Sequence, residues 1–224
     1  MKKRIIISIL VMIMFIFNCN ISYAQPYDIK TFNSSNTSTA TLINNATGEK
    51  ITLEVTEQLI MQRNAAPNGR TSYTQVVETN VPLSSLLRDA GSSSTVEEPD
   101  TSGSCRALLK ITYSKYPDNG QDMYLLEEVY GTWTIQDNQV SSLNRQYTYG
   151  CNSPSRPAVN DQTGYGNVSG MSFSKSTGFT KYINSTVPGS ICGAYTQTTL
   201  KRAGSDHTWT LLIENNIVDT GGII

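Results

Sequence analysis

The chain has 224 residues, of which 17 are Lys or Arg, 18 are Asp or Glu and one is His, so its formal net charge at pH 7 is −1. This balance, with no cluster of Lys and Arg after position 24, lacks the basic surface that nucleic-acid binding requires, and it argues against nucleic acid and anionic membranes as partners. A chain of this length buries about 70% of its unfolded surface on folding, which is enough for a single domain.

The first 24 residues have the pattern of an export signal. Residues 2–4 are Lys, Lys and Arg, residues 5–17 form an apolar run, and residues 22–24 read Ser-Tyr-Ala, the small-residue pattern that a signal peptidase cleaves after. The apolar run is within the ~7–15 residues of a signal and short of the ~20 that a membrane-spanning helix needs. We therefore predict a signal peptide over residues 1–24, removed in the mature protein.

Cleavage at this position determines the charge and the location of the mature protein. It leaves 14 basic and 18 acidic residues, a net charge of −4. Cys19 offers a lipoprotein alternative, but Asn18 stands where such a signal needs a small residue. We expect a secreted protein, extracellular or associated with the cell wall, with no stable membrane insertion after cleavage.

The N-terminal part of the mature chain predicts a tail followed by a β-hairpin. Residues 25–40 are rich in Asn, Ser and Thr and have few apolar groups, which favours a flexible tail. Residues 51–61 then alternate between apolar and polar side chains, as a strand with one buried side does. A turn over 64–70 contains Pro-Asn-Gly, and residues 71–82 alternate again.

A connection links this hairpin to the rest of the chain. Residues 83–90 can add one helical turn, and residues 91–104, rich in Ser, Gly and acidic residues, predict a long surface loop. Because a two-stranded hairpin is not stable alone in water, it must pack on the later strands of the chain. Residues 41–224 therefore form one predicted β domain.

The rest of the chain predicts further strands separated by turns, with a Gly-, Pro- and Asn-rich loop over 150–170. The remaining predicted strands are 105–116, 122–135, 139–149, 171–183, 191–202 and 207–215, which makes eight in all. The strand 122–135 is apolar on both faces and should be central or lie under a loop. These features predict an all-β fold, an antiparallel β-sandwich or an eight-stranded barrel-like meander. In this organisation the chain resembles small exported β proteins of Gram-positive bacteria.

Three cysteines remain after the signal: Cys105, Cys151 and Cys192. Their spacing matches no zinc pattern and the single histidine, His207, has no partner at helical spacing, so we expect neither a metal nor another cofactor. A simple up-and-down strand order places Cys105 and Cys192 at one end of the sheet and Cys151 at the other. A disulfide needs Cα atoms within ~7 Å, so this order predicts a bond between Cys105 and Cys192, with Cys151 free.

Tyrosines on the predicted strands are the candidate binding residues, because aromatic rings with polar tips are typical of surfaces that bind sugars and proteins. The candidates are Tyr124, Tyr130, Tyr147, Tyr149 and Tyr165. With no recognisable catalytic motif, the favoured hypothesis is a secreted, non-catalytic module that binds an extracellular protein or glycan.

Two alternatives stay open. Glu57 and Glu127 interrupt apolar strand faces, and if both point inward they could act as the carboxylate pair of a glycosidase-like secreted hydrolase. A barrel could instead carry a small apolar ligand in its interior.

Overall fold

In the computed structural model, which describes residues 29–30, 38–62, 69–86, 103–154 and 158–221, the chain is built from antiparallel strands. The predicted signal peptide and most of the 91–104 loop lie outside the described residues. The all-β class is confirmed. The one helix among the described residues is a single turn directly after the fifth strand, where a helical turn was predicted.

In chain order the elements are β1 (Ile29–Lys30), β2 (Ser38–Asn44), β3 (Lys50–Leu53), β4 (Val55–Gln62), β5 (Thr71–Pro82), α1 (Leu83–Leu86), β6 (Gly103–Asp118), β7 (Gln121–Ile135), β8 (Val140–Asn152), β9 (Thr163–Val168), β10 (Ser172–Ser176), β11 (Ile183–Asn184), β12 (Ile191–Arg202) and β13 (Thr208–Asp219).

The strands form two sheets. Sheet A has the order β1-β4-β5-β6-β7-β10, with β11 also paired to β7, and sheet B has the order β3-β2-β13-β12-β8-β9. The inner faces of the two sheets share one apolar core, so the sheets pack in a sandwich-like way. The eight-stranded barrel-like meander is therefore wrong: the described residues contain thirteen strands in two separate sheets, and these strands enclose no barrel interior that could hold a ligand.

The chain passes between the sheets at Glu54. The predicted strand 51–61 is divided there, because β3 pairs with β2 in sheet B and β4 pairs with β5 in sheet A. Thr79 donates a hydrogen bond to the carbonyl oxygen of Glu54 at 2.7 Å and holds the corner. The apolar alternation continues through the corner because both strands turn the same side toward the shared core.

The middle of the chain forms a meander within sheet A. Strands β4 to β7 are neighbours in sequence order. The strand β7 lies inside the sheet but not at its centre, because beyond it only the short strands β10 and β11 are paired. The turn between β6 and β7 has positive φ at Asn119 (50°) and Gly120 (79°), the backbone that a tight two-residue hairpin turn requires. The next strand, β8, leaves the meander and pairs with β12 in sheet B.

Other segments differ from their predictions. The predicted loop 150–170 contains β9, which pairs with β8. The predicted strand 171–183 is two short strands, β10 and β11, that both pair with β7. In the predicted tail 25–40, residues 29–30 pair with β4 and residues 38–40 begin β2, where Ala40 is fully buried. Backbone pairing offsets the low apolar content of these segments.

The core contains a polar bridge between the sheets. Asn215 of β13 is fully buried, and its Nδ2 donates to the carbonyl oxygens of Gln75 at 3.3 Å and Leu109 at 3.1 Å in sheet A. Hydrogen bonds from a buried amide to the opposite sheet fix how the two sheets are aligned, because a shifted arrangement would leave the amide without partners.

We expect Asn215→Ala to lower the free energy of unfolding by about 1–3 kcal/mol, because it removes both hydrogen bonds and leaves a buried void. Urea denaturation measures the effect. The matched control is Asn80→Ala on β5, where the side chain is exposed, and its effect should stay within about 0.5 kcal/mol. Equal losses in the two variants would show that the inter-sheet bridge has no special role.

Candidate functional site

A row of outward-facing side chains crosses three neighbouring strands of sheet B. The register pairs Tyr165 of β9 with Thr148 of β8, and Thr148 with Tyr195 of β12. Directly paired residues present their side chains on the same face, so the two tyrosines flank the threonine on the outer face of the sheet. Tyr165 is 82% exposed, an unusual state for a large aromatic side chain.

A second row of amides lies beside the first. The register pairs Asn167 with Gln146 and Gln146 with Gln197, and Gln197 Nε2 donates to Gln146 Oε1 at 2.8 Å. Together the two rows border a shallow surface depression of about 550 Å³. Its lining residues are Gln146, Tyr147, Thr148, Thr163, Tyr165, Gly166, Asn167 and Tyr195, none of them charged. We call this surface the tyrosine-amide face.

Aromatic rings on the inner side of the same strands support this face. The Tyr147 ring lies over Gly166, and the Tyr149 ring lies over Gly164. Tyr147 also stacks on Phe173 of sheet A, with ring centroids 4.6 Å apart and an angle of 17° between the ring planes. An aromatic ring that covers a glycine on the neighbouring strand compensates for the missing side chain and stabilises a glycine-containing strand.

The five tyrosines predicted as binding residues do not form one surface. Tyr165 faces outward on the tyrosine-amide face, while Tyr147 is buried and Tyr149 packs behind the face. Tyr130 is on sheet A, where the Nζ of Lys110 lies 5.2 Å from its ring centroid. Tyr124, also on sheet A, is half-buried beside Tyr113.

The surroundings of Tyr124 keep its hydroxyl neutral. Burial raises the pKa of Tyr124 above its ordinary value, while the nearby Lys115 opposes the shift. The Lys115 Nζ lies 5.5 Å from the ring centroid and 2.7 Å from Asp122 Oδ2. This tyrosine is therefore part of a packed, paired cluster and is not a free binding group.

The three cysteines are buried, no two of them are joined in the structure, and their positions correct the predicted pairing. Cys105 pairs with Ile135 at one end of β7, whereas the thiol of Cys192 lies against the backbone of Leu126. Nine residues of β7 separate these positions, about 30 Å at the rise of a strand. The prediction of a Cys105–Cys192 bond is wrong, because β12 begins beside the end of β8 in sheet B.

Glu57 and Glu127 are not brought together. Glu57 pairs with the buried Val77, so it is on the inner side of sheet A. Glu127 lies at a bulge in β7 and accepts a hydrogen bond from Ser72 at 3.4 Å. Ser72 and Val77 are five residues apart on β5 and point to opposite faces. The two carboxylates therefore do not share a cleft. The hydrolase hypothesis requires a shared cleft, so the structure does not support it.

Sequence patterns alone do not identify Tyr195 or the amides Gln146, Asn167 and Gln197 as site residues. Alternation identifies which strand positions point outward, and Tyr195 and Gln197 do alternate with buried neighbours on β12. It does not show which strands are adjacent. Only the order β12-β8-β9 brings Tyr195 and Tyr165 to the same surface.

Comparison of the chain with protein-family models, curated proteins and solved structures gives no match. In the part of the chain that the structure describes, no helix has the length and apolar character needed to cross a bilayer. Across those same residues, His, Cys, Asp and Glu side chains do not gather in groups of three or more that could hold a metal ion.

We expect Gly166→Ala to lower the free energy of unfolding by about 1–3 kcal/mol, because an added Cβ would lie 2.6 Å from the Tyr147 hydroxyl and displace the stacked ring. Gly170→Ala is the control, since a Cβ there meets no atom closer than 3.8 Å. Urea denaturation of both variants tests this. If Gly166→Ala is as stable as Gly170→Ala, the ring packing does not support β9.

Proposed function

We propose that this protein is an exported, non-catalytic binding module that holds a neutral glycan on its tyrosine-amide face. The observation that carries the proposal is Tyr165, 82% exposed and aligned with Tyr195 across β8. Export is supported by the signal-like pattern of residues 1–24. Outside the cell, polysaccharides of the wall or of the surroundings are the available ligands of this chemistry.

The chemistry of the face suits a sugar. The C–H groups on one side of a pyranose ring pack against an aromatic ring, while the hydroxyls need hydrogen-bond partners. Gln146, Asn167 and Thr148 supply amide and hydroxyl groups that both donate and accept. Because none of the described residues that line the depression is charged, the face favours a neutral ligand over an acidic or basic one.

The spacing of the tyrosines suits an extended ligand. Tyr165 and Tyr195 are on alternate strands, so their backbones are separated by about 10 Å across the sheet. A chain of sugar rings lying across the strands can contact both.

A protein partner has less support from the surface. Protein interfaces of standard size bury about 800 Å² on each partner and have an apolar centre. Among the described residues, the large hydrophobic side chains that are exposed are Leu143, Tyr165 and Met171. These do not provide an apolar centre for a large interface, whereas a single exposed ring is enough to stack on a sugar.

We expect Tyr165→Ala to weaken binding about tenfold, the effect of losing one stacking contact of about 1.4 kcal/mol. The measurement is co-sedimentation with insoluble neutral polysaccharides (cellulose, chitin, β-glucan) and calorimetry with their soluble oligosaccharides. Tyr130→Ala, on the outer face of the other sheet, is the matched control and should bind as the unaltered protein does.

Two results would count against the proposal. One is that the unaltered protein retains none of the neutral glycans. The other is that Tyr165→Ala and Tyr130→Ala weaken binding equally, which would move the site away from the tyrosine-amide face. Circular dichroism of both variants checks that they are folded.

A further inference from the structure

Two of the three thiols are direct neighbours across a pair of strands. The register pairs Cys151 near the end of β8 with Cys192 near the start of β12. Both side chains point into the core and have no exposed surface, and the two thiols lie close enough to interact with each other. The Cys151 Sγ also contacts the carbonyl oxygen of Tyr124 at 3.6 Å.

The backbone hydrogen bonds show which type of pair this is. The Cys151 N–H donates to the carbonyl oxygen of Gln162 at 2.9 Å, and the Cys151 carbonyl oxygen accepts from Gln162 Nε2 at 2.8 Å. Both peptide groups of Cys151 therefore point away from β12. A facing pair of this kind is non-hydrogen-bonded, with Cα atoms about 4.5 Å apart and side chains in close approach.

This geometry is compatible with a disulfide, which needs Cα atoms about 4.4–6.8 Å apart and Cβ atoms about 3.5–4.5 Å apart. We propose that Cys151 and Cys192 form a cross-strand disulfide in the exported protein and that Cys105 remains a free, buried thiol. The inference does not depend on glycan binding. It rests on the register and backbone hydrogen bonds of β8 and β12, and on the export that the proposed function also assumes.

The oxidant is a disulfide-bearing thiol oxidoreductase or a small-molecule disulfide of the compartment into which the chain is exported. One cysteine thiolate attacks a sulfur of the oxidant, forms a mixed disulfide and releases the first oxidant thiolate. The second cysteine thiolate attacks the mixed disulfide, forms the Cys151–Cys192 bond and releases the second thiolate of the oxidant. The cysteine pair loses two electrons and two protons, and the oxidant is reduced to two thiols.

Burial determines when the bond can form and how long it lasts. In the folded protein burial raises the pKa of Cys192 well above its ordinary value, so the reactive thiolate is scarce there. Oxidation therefore occurs before β12 has paired fully with β8. Once the strands have closed over it, the bond is inaccessible to reductants.

Among the described residues Cys105 has no partner thiol at its end of the sheet, and burial raises its pKa to about 12.

The decisive experiment is peptide mapping of the full chain, produced through its own export signal and alkylated under non-reducing conditions. We expect a linked pair of peptides that contain Cys151 and Cys192, and an alkylated Cys105 only after denaturation. Without denaturant the bond should survive dithiothreitol, and in urea it should be reduced. A bond that includes Cys105, or three alkylated thiols after refolding in a glutathione redox buffer, would overturn the proposal.

Thermal unfolding gives a second readout. Closing the loop between residues 151 and 192 should place the Tm of the oxidised protein roughly 10 °C above that of the reduced protein. Cys105→Ser should keep this difference, whereas Cys151→Ser and Cys192→Ser should each abolish it. If the serine variants do not fold, the mapping of the unaltered chain still decides the question. If mapping finds no Cys151–Cys192 bond while glycan binding is intact, the disulfide proposal fails and the proposed function does not.

Discussion

The contact on which the tyrosine-amide face depends is the stack of Tyr147 on Phe173. It joins β8 of sheet B to β10 of sheet A at the side where the sandwich-like pair of sheets would otherwise open. The outer sides of the two rings lie against glycines, Phe173 over Gly131 and Tyr147 over Gly166, where an added Cβ would lie closer than 3.0 Å to the ring. Rings and glycines thus form one packed unit, and the orientation of β9 depends on it because β8 is the only sheet neighbour of β9 among the described strands.

The two sheets are joined by the chain as well as by the core. The corner at Glu54 carries the chain from sheet B to sheet A, and the successive strands β1 and β2, β7 and β8, β9 and β10, and β11 and β12 also lie in different sheets. Long-range pairings dominate such a fold, since β2 near the start pairs with β13 near the end. The inter-sheet hydrogen bonds of Asn215 favour one alignment of these non-local pairings, a specificity that a purely apolar core does not provide.

Sequence periodicity predicted the long strands well: the predicted segments 71–82 and 191–202 coincide with β5 and β12. It could not predict strand order, because alternation reports which side of a strand is buried and says nothing of its neighbours. The assumption of a continuous meander therefore placed Cys192 at the wrong end. The segment that became β9 was predicted as a loop because its glycines have weak strand propensity, and the aromatic rings that stabilise it come from other strands.

The exposure of Tyr165 fits the proposed binding role because the strand that carries it is fixed. An edge strand with two glycines would be mobile if its ends were free. Here Asn152 donates to the Thr163 hydroxyl at 2.8 Å at one end, and Arg145 donates to the carbonyl oxygen of Ser169 at 2.9 Å just beyond the other. The ring is thus presented on ordered backbone, and a ligand that stacks on it does not have to order the strand first. Preorganisation of this kind lowers the entropic cost of binding, which supports the proposal that this shallow surface holds a sugar.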